Sequence, residues 1–127
     1  MLKGVTVMVF ANLFNVLDLV TTLYAVYVLG FSETNVIVRC MLENNPIFYA
    51  SFKIGSLLAL SLVYILTSRS KDPFMVGINR GCVISFCMMT FILGLATILN
   101  VWQIAFNTDV TPLLAFVAKM IPTLHLR

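Results

Sequence analysis

The chain has 127 residues, of which 61% are hydrophobic and 10% are charged, and its formal net charge is +3. About a quarter of the residues in a soluble domain are charged, so this composition excludes an ordinary soluble protein and predicts a single membrane domain. Eight basic residues against five acidic ones are too few and too dispersed for binding to nucleic acid. The expected partners are the lipid bilayer and other membrane-protein subunits or copies of the same chain.

The first apolar segment covers residues 5–29 and is long enough to cross a hydrocarbon core of about 30 Å. Polar residues interrupt it at spacings of three, three and four positions. These residues are Asn12, Asn15, Asp18 and Thr22. At about 100° per residue they share roughly a third of the helix surface. We therefore expect this stripe to face protein or water rather than lipid.

A polar turn follows the first span. Gly30 suits the position just after a helix end, and Asn35 is placed to cap the next segment. That segment, residues 36–43, is too short to span a bilayer. It is predicted to be a short interfacial helix, with its charged residues on the solvated side.

Proline is favoured in the first turn of a helix, so Pro46 predicts the start of a second span over residues 46–68. One face of this helix is polar. It carries Lys53, Ser56, Tyr64 and Thr67. A charged residue in a spanning segment is costly and is usually paired or lines a cavity, so Lys53 is expected to have a partner in the protein.

A third span is predicted over residues 78–106, with Asn100 late in it. Small residues recur near its start at four-residue spacing, a pattern typical of close helix packing. They are Gly77, Gly81 and Ser85. A second short helix is predicted over residues 112–121. The fold class is therefore an all-α polytopic membrane protein with three transmembrane helices and two short interfacial helices.

Charged residues in the connections indicate the orientation. Three spans place the N-terminus and the loop that contains Arg69 and Lys71 on the same side of the membrane. Basic residues concentrate in short cytoplasmic loops. The N-terminus is therefore predicted to be inside.

These positions together resemble an uncharacterised family of small prokaryotic membrane proteins with three spans, known as a domain of unknown function. The resemblance rests on Asn15-x-x-Asp18-x-x-Thr21, Gly30-x-x-Glu33-x-Asn35, Lys53 and Asn100. The family has Pro after the Asn of the turn, where this chain has Val36. The resemblance implies the three-span fold, special roles at these positions and a prokaryotic cytoplasmic membrane. It implies no biochemical activity.

Asp18 and Lys53 are the principal candidates for intramembrane chemistry. Each lies within a predicted span, and the long stem of Lys53 can bridge the difference in depth. The pair could fix the packing of two helices, or it could serve as an ion or proton relay or as a ligand's counter-ion. Alternatively, Glu33 and Asn35 in the turn could be the partners of Lys53, or they could serve only as turn and capping residues.

Enzymatic and metal chemistry have little support in the sequence. His125 is the sole histidine, whereas a catalytic zinc site takes about three protein ligands, so no metal or other cofactor is expected. A Ser–Lys dyad of Ser56 and Lys53 is possible, because residues three apart share a helix face. That spacing is common by chance, and no enzyme activity is expected.

Two classes of function remain. In the first, which the absence of a large domain or catalytic set favours, the protein is a structural or assembly subunit of a larger membrane complex. In the second, it is an oligomeric element that binds or transports an ion or small molecule. This function would use a polar seam, which we define as Asn12, Asn15, Asp18, Thr22, Glu33, Asn35, Lys53 and Asn100.

Overall fold

The computed structural model describes residues 2–33 and 35–106, and within these ranges the chain is all-helical. The helices are α1 (Leu2–Tyr27), α2 (Val36–Asn44), α3 (Pro46–Thr67) and α4 (Pro73–Phe106). Three of them, α1, α3 and α4, are long and apolar enough to cross a membrane. The predicted all-α class with three such helices is therefore confirmed. The short helix predicted over residues 112–121 lies outside the described residues.

The first helix ends in a widened turn, two residues before the predicted boundary at 29. The amide of Leu29 donates to the carbonyl of Tyr24 at 3.3 Å, and the amide of Phe31 donates to the carbonyl of Ala25 at 3.0 Å. Gly30, between them, has a φ of 70°, a left-handed conformation that glycine adopts without a steric penalty. The glycine therefore reverses the chain direction toward α2.

Asparagine caps define the starts of α2 and α3. Asn35 Oδ1 accepts hydrogen bonds from the amides of Ile37 and Val38 at 3.0 and 3.4 Å. Asn45 Oδ1 accepts from the amide of Phe48 at 2.9 Å. These side chains satisfy amides that have no partner within the helix, so the polar turns determine where both helices begin.

The junction between α2 and α3 leaves one carbonyl for a side chain to satisfy. In a continuous helix the carbonyl of Leu42 would accept from residue 46, but Pro46 has no amide hydrogen. The hydroxyl of Tyr27 donates to this carbonyl instead, at 2.9 Å. This bond joins the end of α1 to the end of α2.

The fourth helix begins at Pro73, earlier than the predicted start at residue 78. The reason is a cap, because Asp72 Oδ1 accepts from the amide of Phe74 at 2.8 Å. The first helix likewise begins at Leu2 rather than at residue 5. The omitted start of α1 includes Lys3, whereas the omitted residues 73–77 of α4 are apolar, so a polar first turn explains only the boundary of α1.

Two clusters of buried side chains hold the helices together. The first lies toward the α3–α4 loop and contains Ala11, Leu57, Tyr64, Cys82 and Phe86. Within it the rings of Tyr64 and Phe86 pack edge to face, with centroids 5.9 Å apart. The second lies toward α2 and contains Leu19, Leu42 and Tyr49. Because lipid is as apolar as these side chains, close packing and hydrogen bonds between helices supply the stabilisation in a membrane.

Candidate functional site

The polar stripe of α1 faces the other helices. Asn15, Asp18 and Thr22 have exposed fractions of only 5%, 6% and 6%, whereas Leu13 and Val20 on the opposite face are 49% and 57% exposed. The three- and four-residue spacing places the polar groups on one side of the helix. The apolar remainder of α1 is left for lipid.

The first two residues of the stripe bind α3. Asn12 Nδ2 donates to Ser61 Oγ at 3.0 Å, and Asn15 Nδ2 donates to the main-chain carbonyl of Lys53 at 3.0 Å. The Asn15 bond holds the backbone of α3 at the position of Lys53. The stripe thus sets the position of Lys53 along the axis of α1.

Asp18 and Lys53 contact each other directly. Lys53 Nζ donates to Asp18 Oδ2, and the two side chains form a salt bridge. The Lys53 side chain is 15% exposed and the Asp18 side chain is 9% exposed. Lys53 Nζ also donates to the hydroxyl of Tyr49 at 3.2 Å. Sequence reasoning missed Tyr49, although it lies four residues before Lys53 and therefore on the same helix face.

Asn100 connects α4 to the same carboxylate. Its Nδ2 lies 3.1 Å from Asp18 Oδ1, Thr21 Oγ1 and Thr22 Oγ1. An amide nitrogen has two hydrogens, so these three acceptors share them. Both oxygens of Asp18 therefore have a donor, one from α3 and one from α4, and the carboxylate lies where the three long helices meet.

Glu33 and Asn35 are engaged in the turn rather than with Lys53. The amide of Asn35 donates to Glu33 Oε1 at 2.9 Å, and Asn35 Oδ1 caps α2. In the described part of the chain, the hydrogen bonds of Lys53 Nζ go to Asp18 and Tyr49. The geometry therefore assigns the turn residues a capping role. They lie close enough to the pair, however, to share a cavity with it.

That cavity has a volume of about 260 Å³ and lies between the α1–α2 turn and the three long helices. Its polar lining includes Asp18, Thr22, Glu33, Lys53, Asn100 and Gln103. Short or apolar side chains form much of the remaining wall, among them Ala25, Phe31, Ala96 and Leu99. The cavity is therefore amphipathic, with the carboxylate of Asp18 and the ammonium of Lys53 at its surface.

The half of the bundle on the side of the α3–α4 loop is closely packed. Ala11 and Phe86 are completely buried, and Tyr64 is 3% exposed. These residues belong to the cluster on the side of the α3–α4 loop, beyond the polar seam. The site therefore has the form of a pocket on the α2 side of the bundle.

The geometry does not support the Ser–Lys dyad. The hydroxyl of Ser56 donates to the main-chain carbonyl of Lys53 at 3.1 Å. The ammonium of Lys53 is directed to Asp18 and Tyr49. The arrangement provides hydrogen-bond donors, acceptors and charge for binding.

Comparison with known proteins identifies one family. A family model described as "Domain of unknown function (DUF5658)" matches residues 9–106. The matched range includes the whole polar seam, from Asn12 to Asn100. The predicted resemblance to an uncharacterised family is therefore confirmed. Searches of curated proteins and of solved structures find no match.

Proposed function

The chain belongs to the uncharacterised DUF5658 family, and we propose that it binds a small polar solute in the cavity beside Asp18 and Lys53. The single observation that carries this proposal is the amphipathic cavity of about 260 Å³ lined by this pair. Pockets with apolar walls and a few convergent polar groups are the usual form of small-molecule sites. The sequence alone favoured an assembly role, and the cavity reverses that preference.

A binding role fits better than a pore through one chain. A pore would need polar groups or water along the whole path, whereas the buried cluster around Phe86 interrupts it. Transport would therefore require a conformational change or an assembly of several copies. Hydrogen bonds occupy the groups of a possible Ser56–Lys53 dyad, so the proposal includes no catalysis.

The proposal places the protein in a prokaryotic cytoplasmic membrane with its N-terminus inside and the cavity open to the outside. Arg69 and Lys71, in the short α3–α4 loop, support this orientation. Single cysteines near Asn44 should react with an impermeant thiol reagent applied from outside, whereas a cysteine at Ser70 should not. Reaction at Ser70 from outside would reverse the topology.

Accessibility of the cavity to water tests the binding site. In a background without Cys40, Cys82 and Cys87, we compare Ala96→Cys, which lines the cavity, with Ile98→Cys, which replaces a side chain that is 62% exposed on the outer surface of α4. The two positions lie at similar depth on one helix. A hydrophilic methanethiosulfonate reagent should modify the cysteine at position 96 and spare the one at 98.

Protection from this reaction reports on binding. A solute that occupies the cavity should slow modification at position 96 in proportion to its concentration. If the cysteine at position 96 is as unreactive as the one at 98, the cavity is closed to water and the proposed function fails.

A second function, that of a structural or assembly subunit, is favoured by the outer face of α4. In the described residues, a Cβ added at Gly77 or Gly81 meets no atom within 4 Å beyond the backbone of α4 itself, so another helix could approach this face closely. Gly81→Leu should then disrupt the complex. Gly55→Leu, a change at an equally open glycine on α3, is the control and should leave the complex intact. Purification from native membranes would show either a partner at fixed stoichiometry or an assembly of identical copies. Unchanged assembly in the Gly81→Leu variant would exclude this surface.

A further inference from the structure

We infer that the solute is a small organic ammonium ion, bound with its charge near Glu33. This inference rests on the proposed function, because it names the class of ligand for the same cavity. It follows from the charges that line the cavity, from the hydrogen-bonding groups already engaged, and from the size and character of the walls.

The charges that line the cavity leave one carboxylate without a counter-ion. Asp18 and Lys53 form a salt bridge with each other. Glu33 uses Oε1 to accept from the amide of Asn35, and in the described residues Oε2 has no partner. Arg39 is the nearest cation in sequence, but its Nε donates to the main-chain carbonyl of Glu33 at 2.8 Å. The formal charge of the lining is therefore negative, which favours a cationic ligand.

The ammonium group and the helix-start amides that would attract an anion are already engaged. The start of α2 borders the cavity, and a helix N-terminus attracts anions through its free amides. Here Asn35 Oδ1 occupies the amides of Ile37 and Val38. Lys53 Nζ is directed to Asp18 and Tyr49. An anionic ligand that used this ammonium or these two amides would have to displace one of these bonds.

The walls suit an organic cation rather than a bare metal ion. The cavity has room for roughly nine water molecules at about 30 Å³ each, far more than one ion fills. Phe31 supplies an aromatic ring to the lining, and aromatic faces attract ammonium groups. The ring of Tyr49 already has Lys53 Nζ 5.5 Å from its centroid. Ala25, Ala96 and Leu99 supply apolar surface for an alkyl chain.

The test uses the full chain purified in detergent and three probes of similar size and different charge. Butylammonium chloride, sodium butyrate and butyramide are titrated at matched ionic strength, and affinity is taken from the shift in the thermal unfolding midpoint. The same titrations are repeated with Glu33→Gln, which keeps an oxygen for the amide of Asn35. Glu43→Gln, an exposed position on α2 outside the cavity, makes the same change in net charge and is the matched control.

Butylammonium should raise the unfolding midpoint of the unmodified protein and of Glu43→Gln. Loss of a charge-assisted contact should weaken its affinity roughly tenfold to a hundredfold in Glu33→Gln. Equal affinity in Glu33→Gln, or tighter binding of butyrate or butyramide, overturns the ammonium assignment and leaves a solute site of another class. If no probe binds and position 96 is also closed to thiol reagents, the inference and the proposed function both fail.

Discussion

Removing the charges of Asp18 and Lys53, singly and together, tests whether their contact stabilises the fold. Asp18→Asn keeps an oxygen that can accept from Asn100, and Lys53→Met keeps most of the apolar stem. Each single change therefore removes one charge and leaves its partner in a largely buried place. The side chains are only 15% and 9% exposed for Lys53 and Asp18, respectively, so the pair belongs with buried rather than surface ion pairs.

The expected magnitudes follow from that burial. Removing one member of a buried pair costs about 3 to 5 kcal/mol, whereas replacing both can be nearly neutral. We expect each single variant to lose about 3 kcal/mol, the lower end of this range, because both sites retain some exposure. The double variant should lose only about 1 to 2 kcal/mol, mainly from the hydrogen bond that Tyr49 receives from Lys53.

The assay is unfolding with SDS in mixed micelles, followed by the fluorescence of Trp102, two residues from Asn100 on α4. The double variant should be more stable than either single variant, a non-additivity that identifies direct coupling. If the losses of the single variants simply add in the double variant, the two residues stabilise the fold through separate partners and the reasoning fails. Asn12→Ala is a useful comparison, because it removes a contact between α1 and α3 without changing charge.

Three further changes test the packing and the connections. Gly4→Ala places a methyl group against the hydroxyl oxygen of Tyr64 and should cost about 1 to 3 kcal/mol in SDS unfolding. Gly55→Ala, which meets no neighbour among the described residues, should be neutral or stabilise by up to about 1 kcal/mol, and equal effects would contradict the packing at Gly4. Asn45→Ala removes the cap of α3 and should cost about 1 kcal/mol. Hydrogen exchange at the amide of Phe48 should become faster, and an unchanged rate there would refute the cap. Tyr27→Phe removes the hydrogen bond from α1 to α2 and should cost about 0.5 to 1 kcal/mol. The rate of hydrogen exchange in α2 should rise, and an unchanged rate would show that the bond is dispensable.

The sequence by itself determined the three long helices and the short α2 of the described residues, because helix formation there depends on local properties. An apolar segment of sufficient length must form a helix in lipid to satisfy its backbone groups. The stripe from Asn12 to Thr22 followed from the angle between successive residues. The caps at Asn35 and the turn at Gly30 followed from side-chain and backbone chemistry within a few residues.

Helix boundaries were predicted less well, for a physical reason. Hydropathy reports which residues favour lipid, whereas a helix continues until its backbone bonds or caps end it. The cap at Asp72 therefore placed the start of α4 at Pro73, and the wide turn around Gly30 ended α1 at Tyr27.

Only the tertiary structure decided which polar groups meet. Periodicity defines the face of a residue on its own helix but not the rotation and height of one helix against another. The sequence therefore left Asp18, Glu33 and Asn35 as alternative partners of Lys53. The hydrogen bond from Asn15 to the backbone of α3 sets that height and brings Lys53 to Asp18. The cavity likewise depends on the space between helices, because the turn covers a gap lined partly by short side chains on α1 and α4. No local sequence pattern predicts the size of that space.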